Sequence, residues 1–147
     1  MTEVKSKNAE KFVSFLEENK ITAEKQPVYL AENGYFFVSL HDKIESTGYT
    51  YQWEVVFDPN NCLANINALR IVEGINEANL AKTYELLNEK NKNTLWGKYF
   101  VDNGAVSTTA VFYSRDGEIL PEDLLDILKL MRFSIEELHK DLLKELL

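Results

Sequence analysis

Apolar and polar positions along the chain change period several times, and each change marks an element. From Asn8 to Lys20 the apolar residues Ala9, Phe12, Val13, Phe15 and Leu16 recur at helical spacing, with Asn8 or Ser6 available as N-cap. After Pro27 the pattern becomes strand-like. Val28-Tyr29-Leu30-Ala31 is followed by Asn33-Gly34, a two-residue hairpin signal, and then by Tyr35 to Leu40, which reads as a strand buried on both faces or nearly so. The segment Tyr49 to Phe57 alternates cleanly: Tyr49, Tyr51, Trp53, Val55 and Phe57 face one way, and Thr50, Gln52 and Glu54 the other. Asp58-Pro59-Asn60-Asn61 predicts a turn. A strand from Cys62 to Val72 follows, with Asn65, Asn67 and Arg70 toward solvent and apolar residues on both faces, so alternation alone leaves its register open.

Gly74 and Asn76 punctuate the chain before a helix predicted over 77–91, with Leu80, Ala81, Tyr84, Leu87 and Leu86 as its apolar face. Strands over 95–101 and 105–113 are joined at Asp102-Asn103-Gly104, where Asn-Gly accepts the positive φ angles of a type I′ hairpin. Asp116-Gly117 makes another turn, and Pro121 suits the first position of a final helix. Ser134-Ile135-Glu136-Glu137 fits a capping box, with Phe133 and Leu138 as its hydrophobic staple. Two helices or one bent helix are therefore as consistent with the last segment as a single rod about 39 Å long. Consecutive strands joined by tight turns imply an antiparallel sheet. The class is α+β in the order α-β-β-β(β)-α-β-β-α, with helices covering the sheet in a single domain spanning 1–147.

Composition narrows the function classes. The 147 residues carry a formal net charge of −8, a surface that repels phosphate and argues against nucleic-acid and anionic-membrane partners. Cys62 is the sole cysteine, which excludes an intramolecular disulfide. The polar start Met1 to Lys7 lacks the apolar stretch of a signal peptide, and no run of 18 apolar residues occurs. A cytoplasmic protein is the expectation.

Catalytic signals are lacking. Glu136 and His139 have Glu-x-x-His spacing, but a di-iron site needs a second such motif, so a solvated helix face is expected. His41 reads as a polar residue at a strand end, and Cys62 as a small hydrophobe beside apolar neighbours. Neither phosphate-cradling glycine motif nor Cys-x-x-Cys occurs. No catalytic residue, cofactor or metal site is expected. Asn88, Asn91 and Asn93 suit either a helix stop with Asn93 left-handed or a tie between the helix end and the next hairpin.

Two features suggest protein contacts. The stripe Tyr49, Tyr51 and Trp53 either packs beneath the helices or presents an open face to a partner. In the last segment Leu128, Met131, Ile135, Leu138 and Leu142 continue a stripe from Leu124, while Leu125, Ile127, Leu130, Leu143, Leu146 and Leu147 widen it. These five make candidates for a homodimer interface; packing back on the core is the alternative.

The second half of the chain resembles the YbjN family. The resemblance is carried by Leu86-Leu87-Asn88, Asn91, Trp96-Gly97-Lys98-Tyr99-Phe100 and Asp102-Asn103-Gly104-Ala105-Val106, with the Asp116-Gly117 turn and the Pro121-Glu122 helix start. It implies the fold of type III secretion chaperones, which are acidic dimers that hold client segments on apolar patches, and it assigns no functional residue. A non-catalytic module, chaperone-like or regulatory, that binds a protein partner or client polypeptide is the expected function. The alternative is a small-ligand protein or enzyme with a pocket between sheet and helices.

Overall fold

The computed structural model describes residues 6–21, 28–29, 34–60 and 62–146. Among these, three helices and six strands run in the order α1 (Lys7–Glu18), β1 (Val28–Tyr29), β2 (Phe36–Lys43), β3 (Thr50–Phe57), β4 (Leu63–Glu73), α2 (Leu80–Asn93), β5 (Lys98–Asp102), β6 (Ala105–Tyr113) and α3 (Pro121–Leu146). The class is α+β, as the pattern predicted. The sheet order is β1-β2-β3-β4-β6-β5, antiparallel at every pairing. The α2 crossover delivers β5 to the far edge, and β6 returns between β5 and β4. The Asn33-Gly34 turn, the Asn61 end of the second turn and residues 1–5 of the polar N-terminus fall wholly or partly outside the described residues.

One face of the sheet forms the core. Val38 and Leu40, then Tyr51, Trp53, Val55 and Phe57, then Ala64, Ile66 and Ala68 are buried beneath the helices. Phe12 of α1 packs on Phe57 at 5.9 Å between ring centroids. Ser6 is the N-cap, its Oγ accepting from the Ala9 N–H, while buried Asn8 bridges to the chain before α3 by accepting from the Ile119 N–H and donating to the Gly117 carbonyl. The hairpin expected at Asn103-Gly104 has positive φ at both residues (48° and 73°), which only such residue types adopt readily.

The last helix is one rod. The capping box at Ser134 goes unused because the stripe Leu124, Leu128, Met131, Ile135, Leu138, Leu142 keeps its spacing straight through that point. A single helix therefore buries all six in the core. Ser134 instead shares a hydrogen bond with the Tyr99 hydroxyl, and Phe133, the expected staple, points to solvent at 70% exposure. Leu128, Met131, Ile135, Leu138 and Leu142, the expected dimer residues, are thus core residues of their own chain. Burial within one chain avoids the ~4–15 kcal/mol that association costs in lost translational and rotational freedom, so the intramolecular site takes the stripe first.

The asparagine cluster resolves in favour of the tie. Asn93 is helical, not left-handed. Asn91 donates to the Tyr99 carbonyl at 3.1 Å and accepts from the Tyr99 N–H at 2.8 Å, so its amide occupies the outward main-chain groups of edge strand β5. Lys98 Nζ closes the same junction on the carbonyls of Asn91 and Thr94. The predicted apolar face of α2 is thinner than expected: Leu87 and Thr83 are buried, but Tyr84 is half-exposed. Replacing Asn91 by Ala leaves both Tyr99 groups unpaired. A loss of roughly 1–3 kcal/mol in unfolding free energy is expected, measured by denaturant titration.

Candidate functional site

With the helices on one side, the other face of the sheet is left uncovered by them. Its residues follow from register: Phe37, Ser39 and His41 lie opposite Val56, Glu54 and Gln52, which oppose Asn65, Asn67 and Leu69. Beyond β4, Leu63, Asn65 and Asn67 oppose Tyr113, Val111 and Thr109. Val111 and Tyr113 are exposed, Tyr113 by 62%. Leu63, Val56 and Phe37 are partly exposed, so an apolar band crosses four strands.

At the opposite end of this face β4 breaks step. Ala68 pairs with Thr108 and Val72 with Val106, which leaves Leu69, Arg70 and Ile71 facing Ser107 alone. Such a bulge needs an unusual backbone, and Arg70 takes it at φ 54°. Its main chain is held from both sides: Ser107 Oγ accepts from the Arg70 N–H at 3.0 Å, and the Tyr49 hydroxyl donates to the Arg70 carbonyl at 2.8 Å. The Arg70 side chain pairs with Glu73 at 2.9 Å. Beside the bulge lies a cavity of about 400 Å³ lined by His41, Tyr49, Gln52, Leu69, Arg70 and Asp102, among others. It is bordered by His41, Gln52 and Leu69 of the open face and by Tyr49 and Tyr51 of the alternating set that includes Trp53.

The aromatic stripe divides. Tyr51 and Trp53 are 4% and 3% exposed, the packed alternative, and both belong to the buried core. Their polar tips converge on Asp42, whose Oδ2 accepts from the Tyr51 hydroxyl and from Trp53 Nε1, each at 3.2 Å. Arg132 of α3 pairs with the same oxygen at 3.1 Å and with Glu45 at 2.9 Å. Burial, then the Asp42 charge, pushes the Tyr51 hydroxyl well above its ordinary range, so it serves as a hydrogen-bond donor. Tyr49 alone of the three is partly exposed, and it lines the cavity.

His139 overturns the expectation of a solvated helix face. It is 3% exposed, its ring 5.4 Å from that of Tyr49, and its Nδ1 is buried without a hydrogen-bond partner among the described residues. The Tyr49 ring thus joins α3 to the bulge. Cys62 sits at the other end of the sheet, its Sγ donating to the Asn60 carbonyl at 3.4 Å. Among the described residues no group of three His, Cys, Asp or Glu side chains is placed to hold a metal ion, and no helix is long and apolar enough to cross a membrane.

The family model described as "Putative bacterial sensory transduction regulator" matches residues 28–143, most of the chain. The chain belongs to the YbjN family. No curated protein and no solved structure matches it. A regulatory or binding role fits this YbjN chain, whose family is described by regulation and not by a reaction. The bulge and the residues opposite it escaped sequence reasoning. Their signal was the β4 segment itself, where apolar residues on both faces break the alternation.

Two measurements probe the site's supports. Asp42→Ala strands the Tyr51 and Trp53 donors and should cost roughly 2–3 kcal/mol of stability, with Asp42→Asn, which keeps an acceptor, costing less. Burial holds the His139 imidazole below its ordinary value, with Glu136 opposing. The unfolded chain then binds that proton more readily than the folded one, so the contribution of His139 to stability is intact above about pH 6.5 and falls as pH drops below it. In denaturation series between pH 7 and 5, His139→Phe should flatten this decline.

Proposed function

We propose that this YbjN protein is a non-catalytic regulator of the cytoplasm, chaperone-like in action, that holds a segment of another polypeptide on its open sheet face. The carrying observation is the apolar band from Phe37 and Val56 to Leu63, Val111 and Tyr113 on the face without helices. Exposed Tyr113 has the amphipathic bulk typical of interface anchors, and the neighbouring Asn65, Asn67 and Thr109 offer hydrogen bonds to a bound main chain. Strand addition at the β5 edge is disfavoured, since Asn91 already occupies Tyr99 there. Recognition would therefore use side chains across the face, with no bond made or broken. The family description as a sensory transduction regulator supports such a role, and the net charge of −8 favours a basic or apolar client over nucleic acid.

A second reading rests on the cavity at Arg70. At about 400 Å³ it falls within the size range of small-molecule sites, and Arg70, Glu73 and Asp102 would orient a polar ligand. Affinity purification separates the two. Wild-type protein should retain a stoichiometric polypeptide, identified by mass spectrometry, and the Val111→Glu/Tyr113→Glu variant should lose it by at least about tenfold, while Arg70→Ala retains it. Retention that ignores Val111 and Tyr113 defeats the polypeptide reading, and a small molecule lost on Arg70→Ala replaces it.

A further inference from the structure

Arg70 stands where the backbone would more readily hold glycine or asparagine. At φ 54° it lies in the left-handed region, which a residue with a Cβ adopts only at a cost. Two side chains hold it there: Ser107 Oγ accepts from its N–H, and the Tyr49 hydroxyl donates to its carbonyl. Burial, then the Glu73 charge, raises the Tyr49 hydroxyl above its ordinary range, so it stays protonated and keeps donating. The exposed Arg70–Glu73 pair does not offset the strain, because ion pairs with both partners half in water contribute less than a left-handed backbone costs. What the strain secures is the place of the guanidinium at the cavity.

That guanidinium has donors left over. Glu73 takes Nε at 2.9 Å, and among the described residues no acceptor takes Nη1 or Nη2. The two terminal nitrogens form the fork that meets a carboxylate through parallel hydrogen bonds. Asp102, at the end of β5, lines the same cavity, and its charge acts on the Arg70 guanidinium. Among the described residues its carboxylate forms no ion pair and no hydrogen bond. Two carboxylates thus stand near one guanidinium. A simple anion on the Arg70 fork would sit against two like charges, and a simple cation on Asp102 would leave the fork idle. A molecule that carries both a carboxylate and an ammonium satisfies both groups. Leu69 and Tyr49 give the same cavity an apolar wall, and its volume of about 400 Å³ accommodates a molecule of amino-acid size.

We propose that the cavity at Arg70 binds a small zwitterion of the amino-acid class, its carboxylate on the Nη1/Nη2 fork of Arg70 and its ammonium on Asp102. Glu73 is a positioning residue, because its hold on Nε fixes the plane of the fork. The excess of carboxylates makes basic members of the class better ligands than acidic ones. This site rests on the small-ligand reading of the cavity and leaves the apolar band around Val111 and Tyr113 free for a polypeptide.

Isothermal titration calorimetry of the full chain tests this, with each of the proteinogenic amino acids as titrant. L-Lysine should bind saturably and more tightly than L-glutamate. Cadaverine, which lacks the carboxylate, and Nα-acetyl-L-lysine, which lacks the α-ammonium, should each bind at least about tenfold more weakly. Arg70→Gly should abolish binding yet unfold at no lower denaturant concentration than the wild type, because glycine takes the left-handed backbone without strain. Asp102→Asn should weaken binding about tenfold, and the Val111→Glu/Tyr113→Glu variant should bind as the wild type does. Failure of every amino acid to bind, cadaverine binding as tightly as L-lysine, or binding that survives Arg70→Gly overturns the zwitterion. A molecule without the two charges that co-purifies with the wild type and is lost with Arg70→Gly overturns it too, but leaves the small-ligand reading standing. A cavity that takes no small molecule at all overturns both.

Discussion

The inner stripe of α3, from Leu124 to Leu142, buries six apolar side chains in the core that the sheet and the other helices share. Tyr51 and Trp53 bury their rings in the same core. Their polar tips are then satisfied by Asp42, which Arg132 of the same helix holds in place. The Tyr99–Ser134 bond and the Lys90–Asp141 pair fasten β5 and α2 to the same rod. Remove that contact and the sheet loses its cover, the aromatic strand its seal and the crossover its anchor.

Covering one face also decides what the other face becomes. The helices form one layer, so the residues at alternate positions of β2, β3, β4 and β6 keep a mixed polar and apolar surface. The bulge at Arg70 then bends one end of that surface into a cavity, and Tyr49 ties the bulge back to His139 beneath. Through Tyr49 the bulge on the open face and the buried His139 of α3 touch the same side chain.

Much of the fold could be read from residue order. Period-two alternation over Tyr49 to Phe57, Asn103-Gly104 between two strands and Pro121 before a long apolar stripe each act through local physics, and each was found in place. The candidate site was less legible. Tyr113 and Val111 look like any strand residues until the helices are seen to occupy the opposite face. The bulge depends on a mismatch between β4 and β6, a relation between segments some 40 residues apart. The capping box at Ser134 misled for a similar reason: a locally good helix start is overridden when continuing the helix buries more.

Sequence alone determined the elements, the antiparallel pairing and an acidic chain belonging to the YbjN family, because propensity, turn chemistry and hydrophobic period are properties of short stretches. Tertiary structure decided which apolar stripe is spent on the core and which remains outside. Leu128, Met131, Ile135, Leu138 and Leu142 go inward, and Phe133 and Leu130 are left out. A helix cannot announce which of two apolar sides will be used. The sheet it meets makes that choice, since burial needs a surface of matching shape on the other side.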